Sequence, residues 1–230
     1  MLSVIIPAYN EERRIEPTIE RIFDFGEQRD IDLEIIVVDD GSTDDTGTIA
    51  RRMEGVTVLG GSVNRGKGWA VREGMKRARG DVVLFTDADM STPIEEADKL
   101  FEKIKEGYDL AVGSRMAGRR LIKKYQPWHR ILLGQLFGLV VRVILPLDIK
   151  DTQCGFKMFT SDAVSKLAPE MTIDGYVFDV EMLVLARRMG FGIAEVGVVW
   201  KDIPGSKLNI FRDFPKIAGE LVKIGRGLRK

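Results

Sequence analysis

The chain has 230 residues and a mass of 25.8 kDa, with 44% hydrophobic and 30% charged residues and a formal net charge of zero, enough to bury a sizeable core in one compact domain. Plentiful Leu, Ile, Val and Phe and the lack of any low-complexity tract exclude intrinsic disorder, a collagen-like repeat and a disulfide scaffold. Cys154 is the single cysteine and no charged-then-apolar leader opens the sequence, so a cytosolic protein is the expectation.

Short apolar runs of strand length occur at Leu2 to Pro7, Leu33 to Asp39, Val56 to Leu59, Asp81 to Thr86 and Asp109 to Val112. Between them, apolar residues recur at helical spacing over Glu11 to Phe25, Asp44 to Met53, Lys67 to Ala78 and Ile94 to Glu106, with Asn10, Thr43 and Thr92 as candidate N-caps. Strands that alternate with helices predict a mostly parallel central sheet flanked by helices, an α/β fold. Ligands of such a sheet bind beyond the carboxyl ends of its strands, where Ala8 to Glu11, Asp39 to Ser42 and Asp87 to Met90 would sit.

The second half is less regular. Ile131 to Leu147 is largely apolar but carries Arg142, so it reads as an interfacial or core helix rather than a spanning one. Asp179 to Met189 reads as a helix, Ile193 to Trp200 as a strand and Phe211 to Leu228 as a basic amphipathic helix. We expect a main domain over residues 1–207 and a C-terminal helical extension over 208–230. Charge is polarised: Leu110 to Leu147 holds seven basic residues and no acidic one. The span Lys207 to Lys230 holds seven more against Asp213 and Glu220.

The chemistry gathers at predicted strand ends. Asp87 and Asp89 flank Ala88 where an apolar strand stops, a placement in which hard oxygen ligands suit Mg²⁺ or Mn²⁺ and a bound phosphate. An isolated DxD reads first as a solvated turn capping the next helix, so context decides. Asp39-Asp40-Gly41-Ser42 offers carboxylates to a base or ribose, or is an ordinary Asp-Gly turn. Tyr9 is a stacking or a packing ring, and Glu11 a polar handle beside it. Lys67, at a helix start after Asn64-Arg65-Gly66, reads both as a phosphate contact and as an exposed charge.

The spacing of a P-loop and the full dinucleotide fingerprint are missing, which weighs against kinase, GTPase and dinucleotide-binding readings. His129 is the only histidine, no GxSxG elbow accompanies it, and neither CxxC nor HExxH occurs. A serine-hydrolase triad and a zinc site are therefore poor descriptions, and His129 and Cys154 read as structural.

SVIIPAYNEE, VVDDGSTDDT, NRGKGWAVREGM, FTDADMSTP and VGSR occur in the order and spacing of the family 2 glycosyltransferases. The chain resembles that family over its first half, which implies the GT-A fold of nucleotide-diphospho-sugar transferases. KDTQCGFKMF, FDVEMLVLARRMG and VVWKDIPGSKLN narrow the resemblance to the polyprenyl-phosphate glycosyltransferases, the dolichyl-phosphate glucosyltransferases and mannose synthases among them.

The resemblance implies that Pro7, Tyr9, Glu11, Val37 and Asp39 hold the donor nucleotide and that Asp87, Ala88 and Asp89 meet its diphosphate, Asp87 and Asp89 through Mg²⁺ or Mn²⁺. Arg115 matches the arginine after the fifth strand, near the diphosphate or the acceptor phosphate, and Lys207 the lysine of a C-terminal loop. Lys201 stands where mannose synthases tend to have Arg, and Ser91 where they have Gln. Asp179 lies where members that glycosylate hydroxyls carry a base; here it is expected to orient basic side chains or the sugar, against the bland reading of an exposed helix face shared with Glu181.

The implied reaction is inverting attack of a polyprenyl or dolichyl phosphate on C1 of a nucleotide sugar, UDP-glucose favoured and GDP-mannose the alternative. That nucleophile is already anionic, so alignment and charge stabilisation by Asp89, Arg115, Arg130 and Lys207 carry most of the task. A family member with a carbohydrate or protein acceptor is the second reading, and a nucleotide-sugar-binding protein without turnover the third. The basic segments suit an anionic membrane, which places the protein at the cytosolic face of one; nothing supports nucleic-acid binding.

Overall fold

The computed structural model describes residues 1–117, 122–124, 148–203, 217 and 219–225. The expectations for Arg130, His129, Lys207, the 131–147 helix and most of the 208–230 extension lie outside the described residues. Seven strands form the main sheet: β1 (Leu2–Ala8), β2 (Leu33–Asp40), β3 (Val56–Gly61), β4 (Val82–Thr86), β5 (Leu110–Ser114), β7 (Phe156–Thr160) and β8 (Ile193–Gly197), in the order β3-β2-β1-β4-β7-β5-β8. Two short strands, β6 (Ile122–Lys124) and β9 (Trp200–Lys201), pair parallel in a second sheet.

The parallel pairs β1 with β2, β1 with β4, β2 with β3 and β5 with β8 bear out the α/β expectation. The antiparallel strand is β7, wedged between β4 and β5 with Thr86 opposite Phe156. Sequence patterning did not reveal it, because Lys157 interrupts its apolar run. The predicted strand Ile193 to Trp200 is two strands, β8 and β9, parted by Val198 and Val199.

Among the described residues, helices α1 (Ile15–Gln28), α2 (Thr46–Arg52), α3 (Lys67–Arg77), α4 (Ala97–Lys105, entered through a 3-10 turn at Ile94–Glu96), α5 (Ser161–Glu170) and α6 (Phe178–Arg188) cover the sheet. Strand side chains alternate between faces, so Ile5, Val38 and Phe85 join α3, α5 and α6 in one core while Val4, Ile6 and Leu84 join α1 and α4 in another. On α1 the i, i+4, i+7 row Ile15, Ile19, Ile22 is fully buried.

The predicted caps are corrected. The N-cap positions of α1, α2 and the 3-10 turn are Arg14, Asp45 and Pro93, none with a side-chain capping bond. Asn10 instead joins two loops, accepting from Thr43 N at 2.7 Å and donating its own N–H to Ser42 Oγ at 2.9 Å.

Among the described residues no helix is long and apolar enough to cross a membrane. Ile217, Leu221 and Ile224, three apolar residues of the basic extension, are buried in the same core as α3 and α6. For these three, helix packing replaces the expected contact with lipid.

Candidate active site

Strands β1, β2, β4 and β5 end on one edge of the sheet, and β7 begins there because it runs the other way. Their loops enclose a cleft of about 720 Å³. Pro7, Ala8, Tyr9 and Glu11 form its first wall, positioned by Glu11 N donating to Thr46 Oγ1 at 2.7 Å.

The end of β2 supplies Asp40, which lines the cleft and accepts from Arg65 N at 2.7 Å and Gly66 N at 2.8 Å. Burial pushes the Asp40 carboxyl up, more than these bonds lower it. Two residues named from the sequence sit beside the wall rather than on it. Val37 is fully buried in the core, and Asp39 is 7% exposed with Oδ1 accepting from Ser42 N at 3.0 Å. Gly41 makes that turn possible, having φ +71° and the backbone of Val63 and Asn64 where a side chain would begin.

The DxD turn follows β4, with Asp87, Ala88 and Asp89 all on the cleft. Asp89 Oδ1 accepts from Ser91 N at 2.9 Å and Ser91 Oγ at 2.7 Å, so Ser91 fixes this carboxylate. Asp87 Oδ1 lies 2.5 Å from Lys67 Nζ, and Gly155 backs onto the same carboxylate. Burial works against the Lys67 charge, but Asp87 and then Asp179 outweigh it and raise the ammonium above its ordinary value. Among the described residues no three His, Cys, Asp or Glu cluster as a metal cage. Two hard carboxylates facing an open cleft still fit Mg²⁺ or Mn²⁺, which are commonly held by one or two carboxylates with substrate phosphate and water completing the shell.

Arg115 follows β5 and faces the cleft. Asp151 clamps it, accepting from its Nε and Nη2 at 2.8 Å each and from its backbone N at 2.9 Å, and the guanidinium lies 5.6 Å from the centre of the Trp200 ring. Burial alone would raise Asp151, yet the charge and hydrogen bonds of Arg115 hold it below its ordinary range. Arg115 itself stays charged, since Asp151 more than offsets desolvation. Two of its N–H groups face Asp151, which leaves further donors of the fork for an anion.

Asp179 opens α6 and is 3% exposed, behind the cleft wall rather than on it. Its partner is the ammonium of Lys157, fully buried, which also donates to Cys154 O. Burial raises the Asp179 carboxyl against the pull of Lys157 and Lys67. The exposed-face reading of this helix is thereby replaced: Glu181 is also buried, its carboxylate accepting from Thr172 N, Thr172 Oγ1 and Ile173 N. Lys201 is exposed, and its backbone N donates to Ser91 O at 2.9 Å, tying β9 to the DxD loop.

Sequence reasoning offered Asp40 together with Asp39 but assigned the nucleotide only to Asp39, and it missed Asp151, Gln153, Gly155 and Lys157. The last four fall in one motif, KDTQCGFKMF, noticed as a likeness but not assigned roles residue by residue. Gln153 lines the cleft with its Nε2 buried and without a hydrogen-bond partner among the described residues, a donor poised for a ligand oxygen.

A covered α/β sheet with a paired-carboxylate turn and a clamped arginine at its strand ends defines a nucleotide-sugar transferase of the GT-A kind. The chain belongs to glycosyl transferase family 2, whose model matches residues 3–168. It is 38% identical to the dolichyl-phosphate β-glucosyltransferase of Drosophila melanogaster over 97% of this chain and 74% of that protein. Against the human dolichyl-phosphate β-glucosyltransferase the identity is 34%, with the same coverage of both chains. The fold matches glucosyl-3-phosphoglycerate synthase from Mycobacterium tuberculosis, solved with Mn²⁺ and UDP-glucose, at TM-score 0.73 and 24% identity over 98% of this chain and 79% of that one. The protein is a hexosyltransferase similar to the dolichyl-phosphate β-glucosyltransferases.

Proposed function

We propose that the protein moves glucose from UDP-glucose to a polyprenyl or dolichyl phosphate, with inversion at C1, at the cytosolic face of a membrane. The observation that carries the acceptor class is the Lys157–Asp179 pair. A hydroxyl acceptor needs a base, and Asp179, the carboxylate in the region where the family resemblance looks for one, is bound to a buried ammonium behind the cleft. A phosphate acceptor arrives ionised and needs no such base. The names of the chain-length relatives support the lipid phosphate, and the Mn²⁺ and UDP-glucose of the M. tuberculosis enzyme support the donor.

In this reading an oxygen of the lipid phosphate attacks C1 as the bond from C1 to the diphosphate breaks, and the two oxygens stand on opposite faces of the sugar. Pro7, Tyr9, Glu11 and Asp40 hold the nucleotide, with Val37 and Asp39 behind them. Lys67 and Arg115 meet phosphate oxygens, Gln153 donates to a sugar or phosphate oxygen, and Lys201 adds charge beside the DxD loop. Asp87 and Asp89 would hold Mg²⁺ or Mn²⁺, which supplies charge neutralisation for the departing diphosphate. Asp151 keeps Arg115 in place through the displacement, so no reorganisation is needed as charge moves.

The test is transfer of labelled glucose from UDP-glucose to dolichyl phosphate, read as label entering the organic phase, with and without Mn²⁺. Metal-dependent lipid labelling that Asp89→Ala abolishes, with its circular dichroism unchanged, is the expected result. Binding of UDP without lipid labelling rejects the acceptor, and labelling from GDP-mannose alone rejects the donor.

A further inference from the structure

The DxD at the end of β4 meets a cation from the start of α3. Lys67 Nζ is 2.5 Å from Asp87 Oδ1, and both side chains are about a third exposed on the cleft, at 29% and 33%. Its backbone is fixed: Gly66 N donates to Asp40, Gly68 N to Asp174 O, and Gly66 has no room for a side chain against Asp174. Lys67 therefore reaches Asp87 through a flexible four-carbon stem rooted in a rigid helix start.

Behind Lys67 the charges alternate inward. Asp179 attracts Lys67 and is itself held by Lys157, and both ammonium groups lie near the Phe85 ring, at 5.2 Å and 5.6 Å from its centre. Asp87, Lys67, Asp179 and Lys157 form a row in which each charge neighbours its opposite. A divalent cation placed on Asp87 and Asp89 breaks that order, since it competes with Lys67 for Asp87 and repels the ammonium beside it.

We infer that Lys67 is an internal counter-ion of the DxD, displaced from Asp87 when the divalent cation binds and carried over to the donor's diphosphate. Asp179, anchored by Lys157, keeps the released ammonium near the cleft. The cation alone then binds against Lys67, whereas a nucleoside diphosphate gives Lys67 a new partner and removes the competition. Donor and metal load together for this reason as well as through their direct contact. The inference rests on the assignment of the metal to Asp87 and Asp89.

Binding of Mn²⁺ alone, followed by electron paramagnetic resonance of the free ion, tests it on the full chain. Lys67→Met is expected to bind Mn²⁺ roughly tenfold more tightly than the unaltered protein, the scale of removing one competing charge from a half-buried carboxylate. Lys67→Arg keeps the charge and is expected to bind as the unaltered protein does. UDP is expected to tighten Mn²⁺ binding more in the unaltered protein than in Lys67→Met. Equal or weaker Mn²⁺ binding by Lys67→Met overturns the inference, as does an equal gain in Lys67→Arg. Mn²⁺ that binds equally well to Asp89→Ala overturns instead the metal assignment on which it rests.

Discussion

Gly155 stands so close to Asp87 that a Cβ added to it would lie 2.1 Å from Asp87 Oδ2. The loop that leads into β7 thus presses against the DxD, and only a residue without a side chain fits between them. Gly155→Ala forces the Asp87 carboxylate off its position without requiring a forbidden backbone angle. We expect transfer to fall on the order of a hundredfold, the scale of losing one preorganised electrostatic group, while far-ultraviolet circular dichroism stays unchanged. Initial rates within a factor of a few of the parent would show that the carboxylate is not held in place from behind.

Asp151 and Arg115 give a pH-dependent term. The carboxyl is held below its ordinary value, so the folded state binds its proton less readily than the unfolded chain does. The stabilisation is fully present above the unfolded value of about 3.9 and is lost as pH falls through the lower folded value. Asp151→Asn leaves a desolvated guanidinium without its charge partner and is expected to cost about 3 kcal/mol at pH 7. Urea melts of both proteins from pH 7 down to pH 3 check this: the gap should narrow below about pH 4, and a gap independent of pH would show that the pair does not set it.

Asp87 and Asp89 were candidates because the end of an apolar strand is a local signal and a parallel sheet brings such ends to one edge, while the family resemblance chose between their readings and added Arg115; all three line the cleft. The sequence offered both Asp39 and Asp40; adjacent strand residues point to opposite sides, and which of them reaches the cleft depends on where β2 stops, not on composition. Lys157 was illegible for a different reason. A lysine within a strand reads as a solvated face, and only the insertion of β7 between β4 and β5, opposite an aspartate from α6, makes it a core residue. Asp151 meets Arg115 across a long stretch of chain, beyond the reach of any periodicity.

Cys154 lines the cleft but is 2% exposed, and burial pushes its thiol up to about 12, so it is protonated at neutral pH. Thiolate is the nucleophile in alkylation, and the folded protein is expected to resist iodoacetamide at pH 8. In denaturant the same cysteine, with an ordinary value of about 8.5, should alkylate completely. Intact-mass spectrometry before and after unfolding reads both states. Stoichiometric modification of the native protein would mean that the loop from Gln153 to Gly155 opens readily, contrary to the close packing of Gly155 on Asp87.

Lys157 and Asp179 are each other's reason for being charged in the core. Removing the lysine strands a buried carboxylate, and removing the carboxylate strands a buried ammonium. Lys157→Met is expected to destabilise the fold by about 3–5 kcal/mol, the usual cost of breaking one side of a buried pair. Adding Asp179→Asn removes the stranded charge, so the double variant should recover most of that loss. Equilibrium unfolding of the two single variants and the double variant completes the cycle. Losses that simply add would show that the two side chains act independently, and would remove the argument that Asp179 is withheld from the acceptor as a base.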